Sequence, residues 1–552
     1  MRSRTFLCSL FLLACFAAGP LLAQEVVLST PLHYRGFDPA VPLLTVQGSG
    51  NQTSNITEYR DRTTGAAVTW MDFGGRLNTV LANISAQWLN NICMVDANTP
   101  GADAGAKIAY CRDRLPSTGG TIDARGLLGA QSAATQINIT KPNVTLELSP
   151  TTVLTVPSGV GSTSGIYITG NSLATGGGNN IRLLCNGATI KATRALENVA
   201  FDEYYLVRVT ALTTVGVDGF VSDGCNYELT VTGALAAGAE MGAIKLESTA
   251  TTRFVTNWSI RHNKFNTQAP DIGLTHKWYG VQANPTSIVA NTRVFFDGKF
   301  EFNECLGDGR CLQVGQGRNI SWIGNQARNP SQGNVFGGVQ FRAIGVDNAV
   351  FVGNSCLVNT GNGGAACIYI GGNQNYANDE SKGFSVTANV AKYDTVQLSG
   401  DTYGVNILGA RDGTITGNTF VNTQAGAGGA SDGIKVQAMA GLINRDINFS
   451  SNRIVGFLGY EILVSDVTPP VNLTAQGNHL GDSAAGGVNA FGGAGIANLR
   501  QCNNTTNITF ATLGTPANGS FGYCSDCTIA NPCAAAGTGA FAKYLNAVWV
   551  CN

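Results

Sequence analysis

The chain has 552 residues, of which 44% are hydrophobic, 12% are charged and 70 are glycine. That balance excludes a disordered chain, and glycine at nearly twice its usual share points to many tight turns in place of long helices. Lys+Arg 34 against Asp+Glu 35 leaves no basic excess to hold a phosphate backbone, so nucleic acid is not expected as a partner.

Residues 1–23 read as a secretory signal: Arg2 and Arg4 open it, FLCSLFLLACFAAG is apolar, and small Ala23 precedes the cut. No later apolar run approaches the ~18 to 20 residues that span a bilayer. The mature chain is therefore expected to be secreted, free in the medium or held at the cell surface. Cys8 and Cys15 leave with the signal, so 13 of the 15 cysteines remain, an odd number. In an oxidising compartment these favour disulfides over a thiolate metal site, even for Cys524-x-x-Cys527 with Cys533.

Residues 24–100 read as an N-terminal β module and connector, and residues 101–482 as a repeat domain. A phrase recurs in which a short alternating strand is followed by a second strand ending in Asn, at Asn263, Asn303, Asn325, Asn354, Asn389, Asn418, Asn452 and Asn478. Periods of this length mean stacked supersecondary units. GVQFRAIG, ACIYIGG, YGVNILGA and DGIKVQAM alternate apolar and polar residues at period two, so each unit is one turn of a β-solenoid. Asn at the same corner of successive turns can pass amide hydrogen bonds along the stack. A right-handed parallel β-helix, all-β, is the expected fold.

Cys305 and Cys356 each lie two residues after a ladder Asn, and Cys311 and Cys367 lie at one point of the following strand. Equivalent positions in nonadjacent turns cannot meet, which predicts the pairs Cys305 with Cys311 and Cys356 with Cys367. Cys93 with Cys111 and Cys185 with Cys225 are further expected pairs. Beyond the solenoid, the Gly/Ala-rich residues 483–498 read as a flexible linker, and residues 499–552 as a Cys-rich C-terminal module.

From Gly101 to Gly481 the chain resembles the pectin-lyase-like superfamily. AGAKIAYCRDRLPSTGGTIDARGLLG resembles its beginning, a short helix from Ala104 to about Arg114 capping the open end of the solenoid, then a first strand. The segment Leu43 to Asn78, and the C-terminal pattern NG…YC.DC….PC…G.GA.A..LN..W.C, resemble short modules of phage tail fibres and related exported proteins. That resemblance implies a disulfide-stapled attachment tip and a homotrimer.

The superfamily resemblance implies action on uronate-containing polysaccharide, by paired-carboxylate hydrolysis or by β-elimination with a base and a charge-neutralising cation. The polygalacturonase set has no Asp-Asp here, and the pectate lyase Arg-x-Pro-x-x-Arg is missing, since RLPSTG and RNPSQG both end in Gly. Site residues therefore come from pattern alone. With Val339, Phe341, Ile368, Ile370, Ile407, Ile434 and Val436 inward, Gln313, Arg342, Tyr369, Asn406, Lys435 and Glu461 fall on the outer face of successive turns. Lys435 and Glu461 form a surface ion pair on the plainer reading. The insertion APDIGLTHKWYGVQANP offers Asp271, His276, Lys277, Trp278 and Tyr279 in one loop, with the two aromatic rings suited to stacking on sugars or to folding onto the solenoid wall. Lys435, Arg342 and His276 are the catalytic candidates. No metal or cofactor is expected from a motif, and Ca2+ stays open as the one alternative although no motif supports it.

Two readings follow: an exported β-helix protein that recognises extracellular or cell-surface polysaccharide and extends to depolymerase activity, or a polysaccharide lyase or glycoside hydrolase acting on a uronate polymer.

Overall fold

A computed structural model gives the structure of the protein. It describes residues 91–552 apart from short spans (chiefly 170–179, 196–202, 233–239, 269–276, 287–291, 330–338, 359–364, 373–378, 394–401, 424–430, 438–441, 466–470, 482–490, 493–498, 503–508 and 514–520), and four strands between residues 43 and 79. The signal segment lies outside the described residues.

The chain divides into two compact units, residues 1–91 and 92–552. In the first, Leu43–Val46, Thr57–Arg60, Ala67–Met71 and Leu77–Thr79 pair antiparallel in sequence order.

The second unit is a right-handed parallel β-helix. Successive turns stack into three parallel sheets; sheets 2 and 3 have 12 strands apiece, and several turns enter sheet 1 as two short strands, such as Phe295–Phe296 and Lys299–Glu301. One full turn runs Lys299–Glu301 in sheet 1, Glu304–Leu306 in sheet 2 and Arg310–Gly315 in sheet 3. Right-handedness is what strand twist imposes on nearly every parallel crossover. Alternation does the rest: Phe341, Ile368, Ile370, Ile407, Ile434 and Val436 are all fully buried, and each stacks on its equivalent one turn away. Val339, at the start of its strand, is only half-buried. Between sheets, Trp258, Phe300, Trp322 and Phe351 pack ring on ring, with centroids 4.9, 5.5 and 4.3 Å apart. Gly298 permits this, since a Cβ there would lie 1.9 Å from the Trp258 ring.

The Asn ladder runs unbroken at the corner between sheets 1 and 2. Each side-chain amide from Asn263 to Asn452 donates to the next asparagine's Oδ1, at 2.9 to 3.2 Å. Asn354 shows why only asparagine serves. Its Nδ2 also donates to the Trp322 carbonyl, and its Oδ1 also accepts from the Asn325 backbone N–H. Two donors and two acceptor lone pairs are thus all used in a buried site. Cys225 takes the position before Asn263, donating its N–H to Asn263 Oδ1 while disulfide-bonded to Cys185 of the preceding turn.

The N-terminal end is closed by the helix Ala104–Arg114, which buries Ile108 and Cys111. Asp103 caps it by accepting from Ala106 N–H, and Cys93–Cys111 ties it to the first strand. An uncovered end would expose strand edges to other chains. Cys305–Cys311 and Cys356–Cys367 are bonded within their turns.

Three boundaries differ from expectation. The solenoid starts at Ile92, because Ile92–Met94 already pairs parallel with Gly120–Ala124. It also continues past residue 482: Phe491–Gly492 and Leu499–Cys502 extend sheets 3 and 1. The span expected as a flexible linker therefore includes a ladder strand, held by backbone pairing that needs no particular side chain. The C-terminal module proper is an antiparallel sheet of Phe521–Cys524, Ala540–Leu545 and Val548–Cys551. Cys524–Cys527 and Cys533–Cys551 staple it, so those sulfurs are not free thiolates beside Asp526.

Candidate functional site

Sheet 3 sets one outward row. Register aligns Tyr167, Arg208, Lys245, Gln282, Gln313, Arg342, Tyr369, Asn406, Lys435 and Leu463 on consecutive turns. Neighbours in such a row are about 4.8 Å apart. Five of the six residues expected there take part. Glu461 does not: Ile462 and Val464 point inward, so Leu463 continues the row, and Glu461 lies opposite Gly433, two residues along. Lys435 donates to the Tyr403 hydroxyl at 2.8 Å, with its Nζ 4.7 Å from that ring.

In its N-terminal part the row is a web of compensated charges. Arg208 donates through Nε and a terminal nitrogen to Glu247, at 2.9 and 2.7 Å. Lys245 is bonded to Glu203 and lies 3.6 Å from Glu247. Tyr205 reaches across Gly242 of the next turn, where a Cβ would lie 2.7 Å from its ring, and donates to Gln282 Oε1 at 2.5 Å. Gln282 in turn donates to Glu240 at 3.0 Å. Burial, then Glu240, push the Tyr205 hydroxyl pKa well up, so it stays protonated. Sequence pattern missed this web, because Arg208, Lys245 and Glu247 are separated by gaps that give no motif; period-two alignment of EYYLVRVTA with EMGAIKLES was the available signal.

Further along, the cations lose their acids. Arg310 donates to the Tyr279 hydroxyl at 2.9 Å and to Gln313 Oε1 at 3.5 Å. Arg342 donates to the same Gln313 oxygen at 3.2 Å and stacks 4.8 Å over the Tyr369 ring. Among the described residues no carboxylate pairs with either guanidinium. Burial, with Arg310 adding like-charge repulsion, pushes Arg342 down to about 10, so it remains charged at neutral pH. Arg342 Nε is buried with no hydrogen-bond partner. The two guanidinium groups form a half-buried, incompletely bonded cationic spot on the ladder, suited to an anionic group.

The expected aromatic loop is different. Lys277–Pro285 is a strand of sheet 3, not a loop, and Tyr279 is 1% exposed, its ring beside Arg310. Tyr279 is thus part of the Arg310 site and not a surface stacking ring; register with Gly242 and Arg310 draws it into the wall. Lys277 and Trp278 belong to that strand, and Asp271 and His276 lie outside the described residues.

No family model and no curated protein sequence matches the chain. Among solved structures it is similar to the A-module of the Azotobacter vinelandii mannuronan C-5 epimerase (11% identity, 65% of this chain and 86% of that one, TM-score 0.31). It is also similar to the catalytic unit of a Streptomyces thermodiastaticus α-1,3-glucanase (12%, 74% and 67%, 0.38). A third is the Streptococcus pneumoniae surface adhesin PfbA (11%, 81% and 93%, 0.37). At these identities and scores the likeness carries no role or residue over to this chain. No helix among the described residues is long and apolar enough to cross a membrane.

Proposed function

We propose that this is an exported protein that recognises acidic polysaccharide along the outward row of sheet 3. One observation carries the reading: among the described residues Arg310 and Arg342 meet no carboxylate, and Gln313, Tyr279 and Tyr369 hold them on the ladder. A sugar carboxylate bound there would supply a countercharge to the two guanidinium groups. Asn406 and Lys435 continue the row on the C-terminal side, while Gln282, 1% exposed, is bonded to Tyr205 and Glu240. Six disulfides among the described residues fit an oxidising destination.

Depolymerase activity is the second reading, favoured by the Lys435 and Tyr403 pair on neighbouring turns of the same sheet. In β-elimination a base removes the proton next to the carboxylate, the bond to the leaving glycosidic oxygen breaks, and a carbon–carbon double bond forms. Arg342 would neutralise the carboxylate, and Lys435 or the phenol it contacts would move the proton.

The test is incubation of the mature protein with uronate and neutral polymers, read by reducing-end release, ultraviolet absorbance of unsaturated product, and binding. Binding of uronate polymer that fails in Arg342→Gln is the expected result. Equal binding by wild type and Arg342→Gln overturns the row as the site. Unsaturated product lost in Lys435→Ala supports elimination.

A further inference from the structure

The charges along the outward face of sheet 3 are unevenly spread. Arg310 and Arg342 lie on adjacent turns and share Gln313 Oε1, so they form one cationic spot. Toward the N-terminus the next turn presents Gln282, and the turn before that carries Glu240 and Glu247. Glu240 accepts from Gln282, and Glu247 from Arg208. Toward the C-terminus the strands of the next two turns present only neutral residues: Tyr369 and Asn406 in the row, Ala366 and Tyr403 on one flank, Gly371 and Leu408 on the other. Lys435 stands three turns from Arg342, about 14 Å along the axis, and donates to the Tyr403 hydroxyl. Asp432 on the same strand is fully buried and accepts from the Tyr460 N–H, and Leu463 ends the row.

One turn advances about 4.8 Å, close to the length of one sugar residue in an extended glycan. A homopolyuronate carries a carboxylate on every sugar. Laid along the row with one carboxylate at Arg310 and Arg342, it would set the next ones over Tyr369 and Asn406 on one side and toward Glu240 and Glu247 on the other. A carboxylate that gives up water against a neutral wall is penalised unless a countercharge meets it, and facing like charges reject a wrong partner. Neutral sugars at those places escape both penalties, because a hydroxyl loses less on leaving water and bonds readily to a side-chain amide such as that of Asn406.

We propose that this face selects an acidic heteropolysaccharide in which a lone uronate is flanked on both sides by neutral sugars, and disfavours homopolyuronates. This selectivity rests on Arg310 and Arg342 being the uronate site proposed above, and names the polymer that site takes. The two guanidinium groups draw in one carboxylate, and the turns of Tyr369 and Asn406 exclude a second beside it, so specificity lies in the neutral stretch as much as in the cations.

The experiment is affinity electrophoresis of the full mature chain through gels containing polygalacturonate whose carboxyls have been reduced to hydroxymethyl groups in graded proportion, from none to all, with thermal melting alongside. Gellan, whose repeat holds a single glucuronate, serves as a second backbone. The expected result is tightest binding at intermediate reduction, at least fivefold tighter than to the unreduced polymer, with the fully reduced polymer bound least; gellan should likewise exceed unreduced polygalacturonate. Arg342→Gln should flatten that maximum at unchanged or raised Tm. Asn406→Lys, which puts a cation into the neutral stretch, should tighten binding of the unreduced polymer fivefold and move the maximum toward denser charge. Binding by the wild type that rises steadily with carboxyl content overturns the proposal, and if that rise is lost in Arg342→Gln the sheet 3 site still stands. A profile unmoved in folded Asn406→Lys also overturns it. Equal binding by wild type and Arg342→Gln throughout the series, or no binding to any member or to gellan, overturns the site and its selectivity together.

Discussion

Two stretches of sheet 3 differ in what surrounds their cations, although Arg208, Lys245 and Arg342 hold equivalent positions along it. Arg208 and Lys245 are closed into a web with Glu203 and Glu247, and Glu247 is 1% exposed. Among the described residues Arg310 and Arg342 meet neutral oxygens and the rings of Tyr279 and Tyr369. The difference teaches that a solenoid fixes where a side chain points, while the sheet neighbours decide whether its charge is spent inside the protein. A compensated cation holds turns together. An uncompensated one is available to a ligand.

The comparison can be broken most forcefully at Glu247. Glu247→Ala strands Arg208 and Lys245 without their shared acid, and breaking a buried pair in this way costs about 3 to 5 kcal/mol. A large fall in the denaturation midpoint is the expected outcome, and a midpoint within error of the wild type would remove the structural role given to the web. As a control for buried polar bonding without charge, Asn354→Ala leaves the Asn325 backbone N–H and the Trp322 carbonyl without their partner. Each stranded group costs about 1 to 3 kcal/mol, so chemical denaturation should show a smaller but clear loss.

Arg342→Gln sharpens the contrast from the other side. It removes a buried charge that has no acid, so folding stability should stay level or rise, while uronate-polymer binding falls tenfold or more in a binding titration. Parallel losses of stability and binding would place Arg342 with Arg208, as a structural cation. The smallest effect is expected at Glu461→Gln: it lies off the row, so binding should change less than twofold, and a larger change would return it to the site.

Much of this was legible because a β-helix writes its geometry into period and spacing. Asn263 to Asn478 marked the corner turn by turn, and the ladder bonds follow the same eight residues. Cysteine spacing indicated Cys305 with Cys311 and Cys356 with Cys367, which the structure bonds. Alternation likewise put Gln313, Arg342, Tyr369, Asn406 and Lys435 in a single row. The same logic slipped at Glu461, because alternation gives the face but not the register along a strand. It slipped at Tyr279 too, since KWYGVQANP carries the composition of a loop and pairs as a strand.

By itself, then, the sequence determined the solenoid, its internal ladder, its capping helix and the face on which each strand residue lies. These depend on local periodicity and on short spacings that repeat. Tertiary structure alone decided which cations meet acids and which do not. Those outcomes depend on side chains from turns some 20 to 40 residues apart coming within a few ångströms, as Arg208 and Glu247 do across 39 residues; no local signal in the sequence records that approach.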